Sequence, residues 1–73
     1  MVTPESIRAS IERGLDCETV EVAGDGHHFE ALIVSEAFRG KSRVEQHKMV
    51  YDALKGQMGG ALHALALKTK APS

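Results

Sequence analysis

The chemistry open to this 73-residue chain rests first on its four histidines. His27 and His28 are adjacent, at the end of a Gly24-Asp25-Gly26 turn and at the entry to an apolar run. His63 follows Gly59-Gly60 and enters a second such run. His47 lies inside a segment of helical periodicity, where a packing or helix-surface role is the plainer account. Neutral imidazole is a common metal ligand, and histidines at loop edges on a rigid scaffold are well placed to reach a metal. A structural zinc site takes four protein ligands. His27, His28 and His63 fall short of that set, but they suit half of a site shared with a partner. Exposed histidine with no ligand is also commonplace, so the residues alone leave both readings open.

The other candidates carry weaker signals. Cys17 is the only cysteine. It forms no internal disulfide, which fits a reducing compartment. It has no C-x-x-C partner and no adjacent cation to lower its pKa, so an inert small side chain is expected. Gly40-Lys41-Ser42 looks like the end of a phosphate-binding loop, but the glycine required five positions earlier is Ser35. Gly56-Gln57-Met58-Gly59 is literally G-x-x-G. It sits at a helix end before a strand and lacks basic flanks, so a helix C-cap is expected instead. Arg39, Lys41, Arg43 and Lys48 form a basic stretch that could touch phosphates, diluted by Glu36, Glu45 and Asp52. No nucleophile–base pair or paired carboxylate stands out, so catalysis is not expected.

These groups must be held by secondary structure. Thr3-Pro4 opens a first helix, with Thr as cap and Pro at the first position. Ile7, Ile11 and Leu15 share one helical face, and Gly14 is the expected stop. Thr19 to Ala23 and Phe29 to Val34 alternate and read as an antiparallel hairpin. Phe29, Ala31 and Ile33 share one strand face. Ser35 to Lys41 connects, with Phe38 as anchor and Gly40 as a turn. Ser42 and Glu45 form a capping box, and the spacing predicts a helix from there to about Met58. Val44, His47, Tyr51, Leu54 and Met58 make its predicted apolar stripe. Ala61 to Thr69 is the predicted third strand, with His63, Leu65 and Leu67 on one face. The order is α-β-β-α-β: an α+β class, one domain over 1–73, with a three-stranded mixed sheet and both helices on one face. The other sheet face is left partly open to a partner.

Bulk properties narrow the function. A chain this short buries about 60% of its unfolded surface, which leaves little room for an enclosed substrate cavity. Nine Lys and Arg balance ten Asp and Glu, for a net charge of −1. A dedicated nucleic-acid binder usually carries a basic domain. Aromatics are limited to Phe29, Phe38 and Tyr51, a poor supply of stacking platforms. No apolar run approaches the roughly 18 residues of a membrane span, and Met1 to Ile11 lacks the order of a signal peptide. A cytoplasmic binding module is expected.

Several ordered segments match a known pattern. Phe29-Glu-Ala-Leu-Ile-Val-Ser35, then Phe38-Arg-Gly40, then Gln46-His47-Lys48 with Val50-Tyr51, resembles the core of the BolA family. Ala61-Leu-His63 through Thr69 is similar to that family's third strand, which opens with histidine. Gly24 to Phe29 is similar to its hairpin loop. The resemblance covers roughly residues 4–72. It implies an α-β-β-α-β core related to class II KH folds and a monothiol glutaredoxin as partner. It further implies a [2Fe-2S] cluster held by the glutaredoxin cysteine, glutathione and histidine of the BolA protein. By the same resemblance His63 is the main ligand, His28 is the hairpin-loop ligand and His27 its neighbouring substitute. Protonation of the histidines should weaken such ligation. The isolated protein is expected to be a monomer or a weak homodimer.

Two departures bear on partners. The family usually continues beyond the third strand into a further helix, whereas this chain stops at Pro72-Ser73. Gln46 and Lys48 stand where the family usually has Arg, and Lys lacks the bidentate fork of Arg for phosphate. The alternative implied by the family, a DNA-binding transcriptional regulator acting through Arg39, Lys41, Arg43 and Lys48, is weakened by that change.

Overall fold

The structure is a computed structural model that describes residues 2–25, 27–56 and 64–73. The first helix, α1, spans Pro4–Gly14. The Thr3 hydroxyl accepts from the Ser6 N–H at 3.1 Å, and the Ser6 hydroxyl accepts from the Thr3 N–H at 3.0 Å. This reciprocal box satisfies N–H groups that have no partner within the helix. Ile7 and Ile11 are buried, and Leu15 packs against the core they help form.

Strands β1 (Thr19–Gly24) and β2 (Phe29–Val34) pair antiparallel, from Thr19 opposite Val34 to Gly24 opposite Phe29. Strand β3 (Leu65–Lys70) pairs parallel to β2, from Phe29 beside Leu65 to Val34 beside Lys70. The sheet order is β1-β2-β3, so β2 is central. The period of two sends Phe29, Ala31, Ile33, Val20 and Leu65 to the face that packs with Ile7, Ile11, Val50 and Leu54 of the helices. On the opposite face Glu21, Ala23, Glu30, Ala66 and Lys68 are exposed. The expected mixed sheet with one open face is the observed one.

Between β2 and the second helix lies a single 3-10 turn, Glu36–Phe38, with Ser35 as its cap. Phe38 is fully buried and pins this connection to the core. Gly40 takes a φ of 78°, a conformation that costs glycine nothing. Helix α2 (Arg43–Leu54) then starts from the expected box. The Ser42 hydroxyl accepts from the Glu45 N–H at 3.2 Å, and the Glu45 carboxylate accepts from the Ser42 N–H at 3.1 Å.

Three expectations need correction. Helix α2 ends at Leu54, earlier than Met58, because Lys55 adopts the left-handed conformation (φ 51°) and Gly56 follows at φ 76°. Of the predicted stripe on α2, Leu54 is buried as expected, but Val44 and Tyr51 are not. Val44 is 78% exposed and Tyr51 36%, while Val50, Ala53 and Leu54 are buried. At about 100° per residue, Tyr51 and Val44 lie roughly a quarter to a third of a turn away from Val50. The face that includes Val50 and Ala53 is the one turned to α1: a β-carbon on Gly14 would stand 2.7 Å from that of Ala53. Gly14 is thus a close-approach residue as well as the last of α1. Strand β3 is described from Leu65 and runs one residue past Thr69. The predicted strand start at Ala61, the Gly59-Gly60 stop, most of the G-x-x-G segment and His63 lie outside the described residues.

Candidate functional site

The tight β1–β2 turn sets the position of His27 and His28. A single carboxylate oxygen of Asp25 accepts from the backbone N–H of His27 and of His28, each at 2.8 Å. The Asp25 N–H donates to the His28 carbonyl at 3.2 Å. Asx turns of this kind are the reason Asp is frequent before tight loops. The bonds from His28 and then His27 hold the Asp25 carboxyl below the usual carboxylate range. Gly24 permits the closure, since a β-carbon there would meet the Phe29 ring at 2.5 Å and the His28 carbonyl oxygen at 2.6 Å. Both histidines are exposed.

The parallel register brings the start of β3 to this same end of the sheet, because Leu65 pairs with Phe29. His28, Asp25, Glu30, Ala64 and Leu65 line one shallow depression of about 530 Å³. Ala64 is the residue joined to His63 in sequence. His63 itself lies outside the described residues. His27 does not line the depression, so of the adjacent pair it is His28 that the fold presents there. Among the described residues no group of three or more His, Cys, Asp or Glu is placed to hold a metal.

The remaining candidates lie elsewhere. Cys17 is half-buried at the opposite end of the sheet, next to Glu18, whose N–H donates to the Val34 carbonyl at 2.8 Å. Burial first, then the charges of Asp16 and Glu12, push its thiol above the ordinary value of 9.0. That environment suppresses the thiolate, the nucleophilic and metal-binding form. His47 is partly buried on α2.

The basic stretch does not act as one unit. The Arg39 guanidinium grips the Glu36 carboxylate at 2.5 and 3.0 Å and donates to the Pro72 carbonyl at 2.7 Å. It fastens the 3-10 turn to the C-terminal tail. Lys41, Arg43 and Lys48 are exposed, but Glu45 and Asp52 line the same surface hollow as Lys41 and Lys48. At Gly40-Lys41-Ser42 the first-turn N–H groups bond to the helix's own box, so the segment is a helix cap. From the sequence Asp25 is a turn residue, and Gln46 is a departure from the family's Arg with no bracing role evident. The position of Asp25 two and three residues before the histidines was the available signal for the first. Nothing local signalled the second.

Comparison with known proteins decides the family. The family model for BolA-like proteins matches residues 2–73. The chain belongs to the BolA-like family. A mouse relative, BolA-like protein 1, is 35% identical over 78 residues, covering 93% of this chain and 57% of the mouse protein. The chain therefore spans little more than half the length of that relative. The solved structure of a bolA protein homologue from Coxiella burnetii superposes with a TM-score of 0.79 at 43% identity, covering 99% of this chain and 94% of that one. The BolA domain of SufE1 from Arabidopsis thaliana gives a TM-score of 0.77 at 41% identity, covering 94% and 91% respectively. The BolA-like fold, a helix, a mixed three-stranded sheet and a second helix, is thus shared with experimental structures.

Proposed function

We propose that this BolA-like protein is an iron–sulfur accessory or regulatory protein that pairs with a monothiol glutaredoxin and co-ligates a bridging [2Fe-2S] cluster through histidine. The observation that carries the reading is the convergence of His28 and Ala64, the neighbour of His63, on one depression at the hairpin end of the sheet. The likeness to the BolA domain of SufE1 supports an iron–sulfur-related role.

The donor set fits such a cluster as half a site. Imidazole ligates iron, as in centres where histidine replaces cysteine on one of two irons and raises the reduction potential. The chain's only thiol is at the far end of the sheet and held protonated, so thiolate donors must come from the partner's cysteine and glutathione. The cluster, when bound, supplies one-electron redox chemistry and an exchangeable cargo. His28 and His63 are the residues that would hold it, with His27 as the nearby substitute. Ligands divided between two proteins make the cargo releasable when the pair separates.

The test is anaerobic reconstitution with a monothiol glutaredoxin, glutathione, iron and sulfide, read by visible absorption and circular dichroism. A heterodimer spectrum distinct from that of the glutaredoxin homodimer, lost in His63→Ala and altered in His28→Ala, is expected. No complex, or spectra indifferent to both histidines, would overturn the reading. The competing reading, duplex DNA binding, has Lys41, Arg43 and Lys48 in its favour as exposed cations. It predicts affinity that falls steeply with salt.

A further inference from the structure

We propose that Asp25 is a positioning residue for the histidine half-site: its carboxylate sets the backbone of His28 so that this imidazole, rather than that of His27, faces the start of β3. The proposal rests on the cluster-partner reading above. Asp25 is exposed, and its side chain is committed to its own loop, with one oxygen accepting from both the His27 and the His28 N–H at 2.8 Å. The backbone closes the same ring from the other side, through the Asp25 N–H and the His28 carbonyl at 3.2 Å. Gly24 leaves no room for a side chain between itself, the Phe29 ring and that carbonyl. Together these contacts fix one posture of residues 27 and 28 relative to Phe29, which is locked in the core at 2% exposure.

The consequence is preorganisation. Without such bonds, an exposed pair of adjacent histidines would offer either ring to a metal, and ordering one of them would subtract from ligation. With the Asp25 bonds, the histidine that lines the depression with Ala64 and Leu65 is chosen before any partner arrives. A ligand orientation set by a carboxylate acting one step removed from the metal is a common device in metal sites. Here the carboxylate acts through the backbone.

The variants Asp25→Ala and Asp25→Asn separate this role from mere loop stability, since Asn keeps the accepting oxygen. In the isolated protein, solvent exchange of the His27 and His28 amides, measured by NMR, should be about tenfold faster in D25A and near wild type in D25N. In the reconstituted heterodimer, the circular dichroism and electron paramagnetic resonance of D25A should shift toward those of His28→Ala, with D25N restoring the wild-type spectrum. D25A should still fold, with a far-ultraviolet circular dichroism spectrum like wild type, because the bonds it loses are confined to its own exposed loop. A D25A cluster spectrum identical to wild type, in a protein where His28→Ala does change it, would overturn the positioning role and leave the cluster reading intact. Failure of the wild-type protein to form any mixed cluster would overturn both.

Discussion

The Thr69 hydroxyl donates to the side-chain oxygen of Gln46 at 2.6 Å, joining β3 to α2. The Gln46 amide nitrogen spends its protons on the carbonyls of Lys41 at 3.0 Å and Phe38 at 3.3 Å. One side chain thus braces a strand, a helix and the connection before it. Gln46→Ala should cost about 1–3 kcal/mol, because partly buried groups are left without partners. Urea unfolding followed by far-ultraviolet circular dichroism checks this, and an unchanged midpoint would show that water replaces all three bonds.

The contact between α1 and α2 should be equally exacting. A methyl on Gly14 meets the Ala53 β-carbon at 2.7 Å and its α-carbon at 2.9 Å. Gly14→Ala, which raises helix propensity in isolation, should instead destabilise by about 1–3 kcal/mol through overpacking. A rise in the thermal midpoint would mean that the helices separate at little cost.

Acid sensitivity should follow three exposed carboxylates. Glu45 is held below its ordinary value of 4.5 by the Ser42 N–H, and Glu36 by Arg39. Asp25 is held below 3.8 by the His28 and His27 amides. A depressed folded-state pKa means the unfolded chain binds the proton more readily. The stabilisation is therefore complete above the ordinary values and drains away as pH falls through the lowered ones. Urea midpoints should change little through these groups between pH 7 and about 5, then fall. Glu45→Gln keeps an accepting oxygen without titrating, so its fall should be shallower. Parallel curves for the variant and the wild type would remove the capping box from the account.

Cys17 should be slow to alkylate. Its thiol is raised above 9.0 by burial and by Asp16 and Glu12, so little thiolate exists near neutral pH. Iodoacetamide at pH 7.5 should label the folded protein more slowly than the same protein in urea, about as for any protected thiol. Equal rates in both states would contradict the raised value.

Much of this was legible in the sequence. Thr3-Pro4 and Ser42…Glu45 announce helix starts because capping is a local transaction between residues three apart. The alternation of Phe29, Ala31 and Ile33 assigned the core face of β2 for the same local reason. The face of α2 was legible only in part. The 3-4 spacing found Leu54 but put Val44 and Tyr51 beside it in place of Val50 and Ala53, because the rotation of the helix depends on the close approach of Gly14, about forty residues away in the chain. At the candidate site the histidines could be named from type and position, yet which of the adjacent pair lines the depression emerges only when the hairpin is closed and β3 pairs with it. For Arg39 the sequence showed only membership of a diluted basic stretch, since its bond to the Pro72 carbonyl joins residues 33 positions apart.

Strand β3 has a further consequence for how the domain opens. Its fastenings gather at one end: the Ser35 N–H to the Lys70 carbonyl at 3.0 Å, Thr69 to Gln46, and Arg39 to Pro72. Phe29 and Leu65, partners at the other end, are 65 − 29 = 36 positions apart in the chain. The described contacts there are the ladder and the Leu65 side chain. The fastened end should therefore be the last to open, near the free energy of global unfolding, and a partner at the Phe29–Leu65 end closes the ladder from the other side. A protein that grips both β2 and β3 at that end acts as a clasp. It would slow amide exchange along β3 and raise the melting temperature with the logarithm of its concentration once that exceeds the dissociation constant.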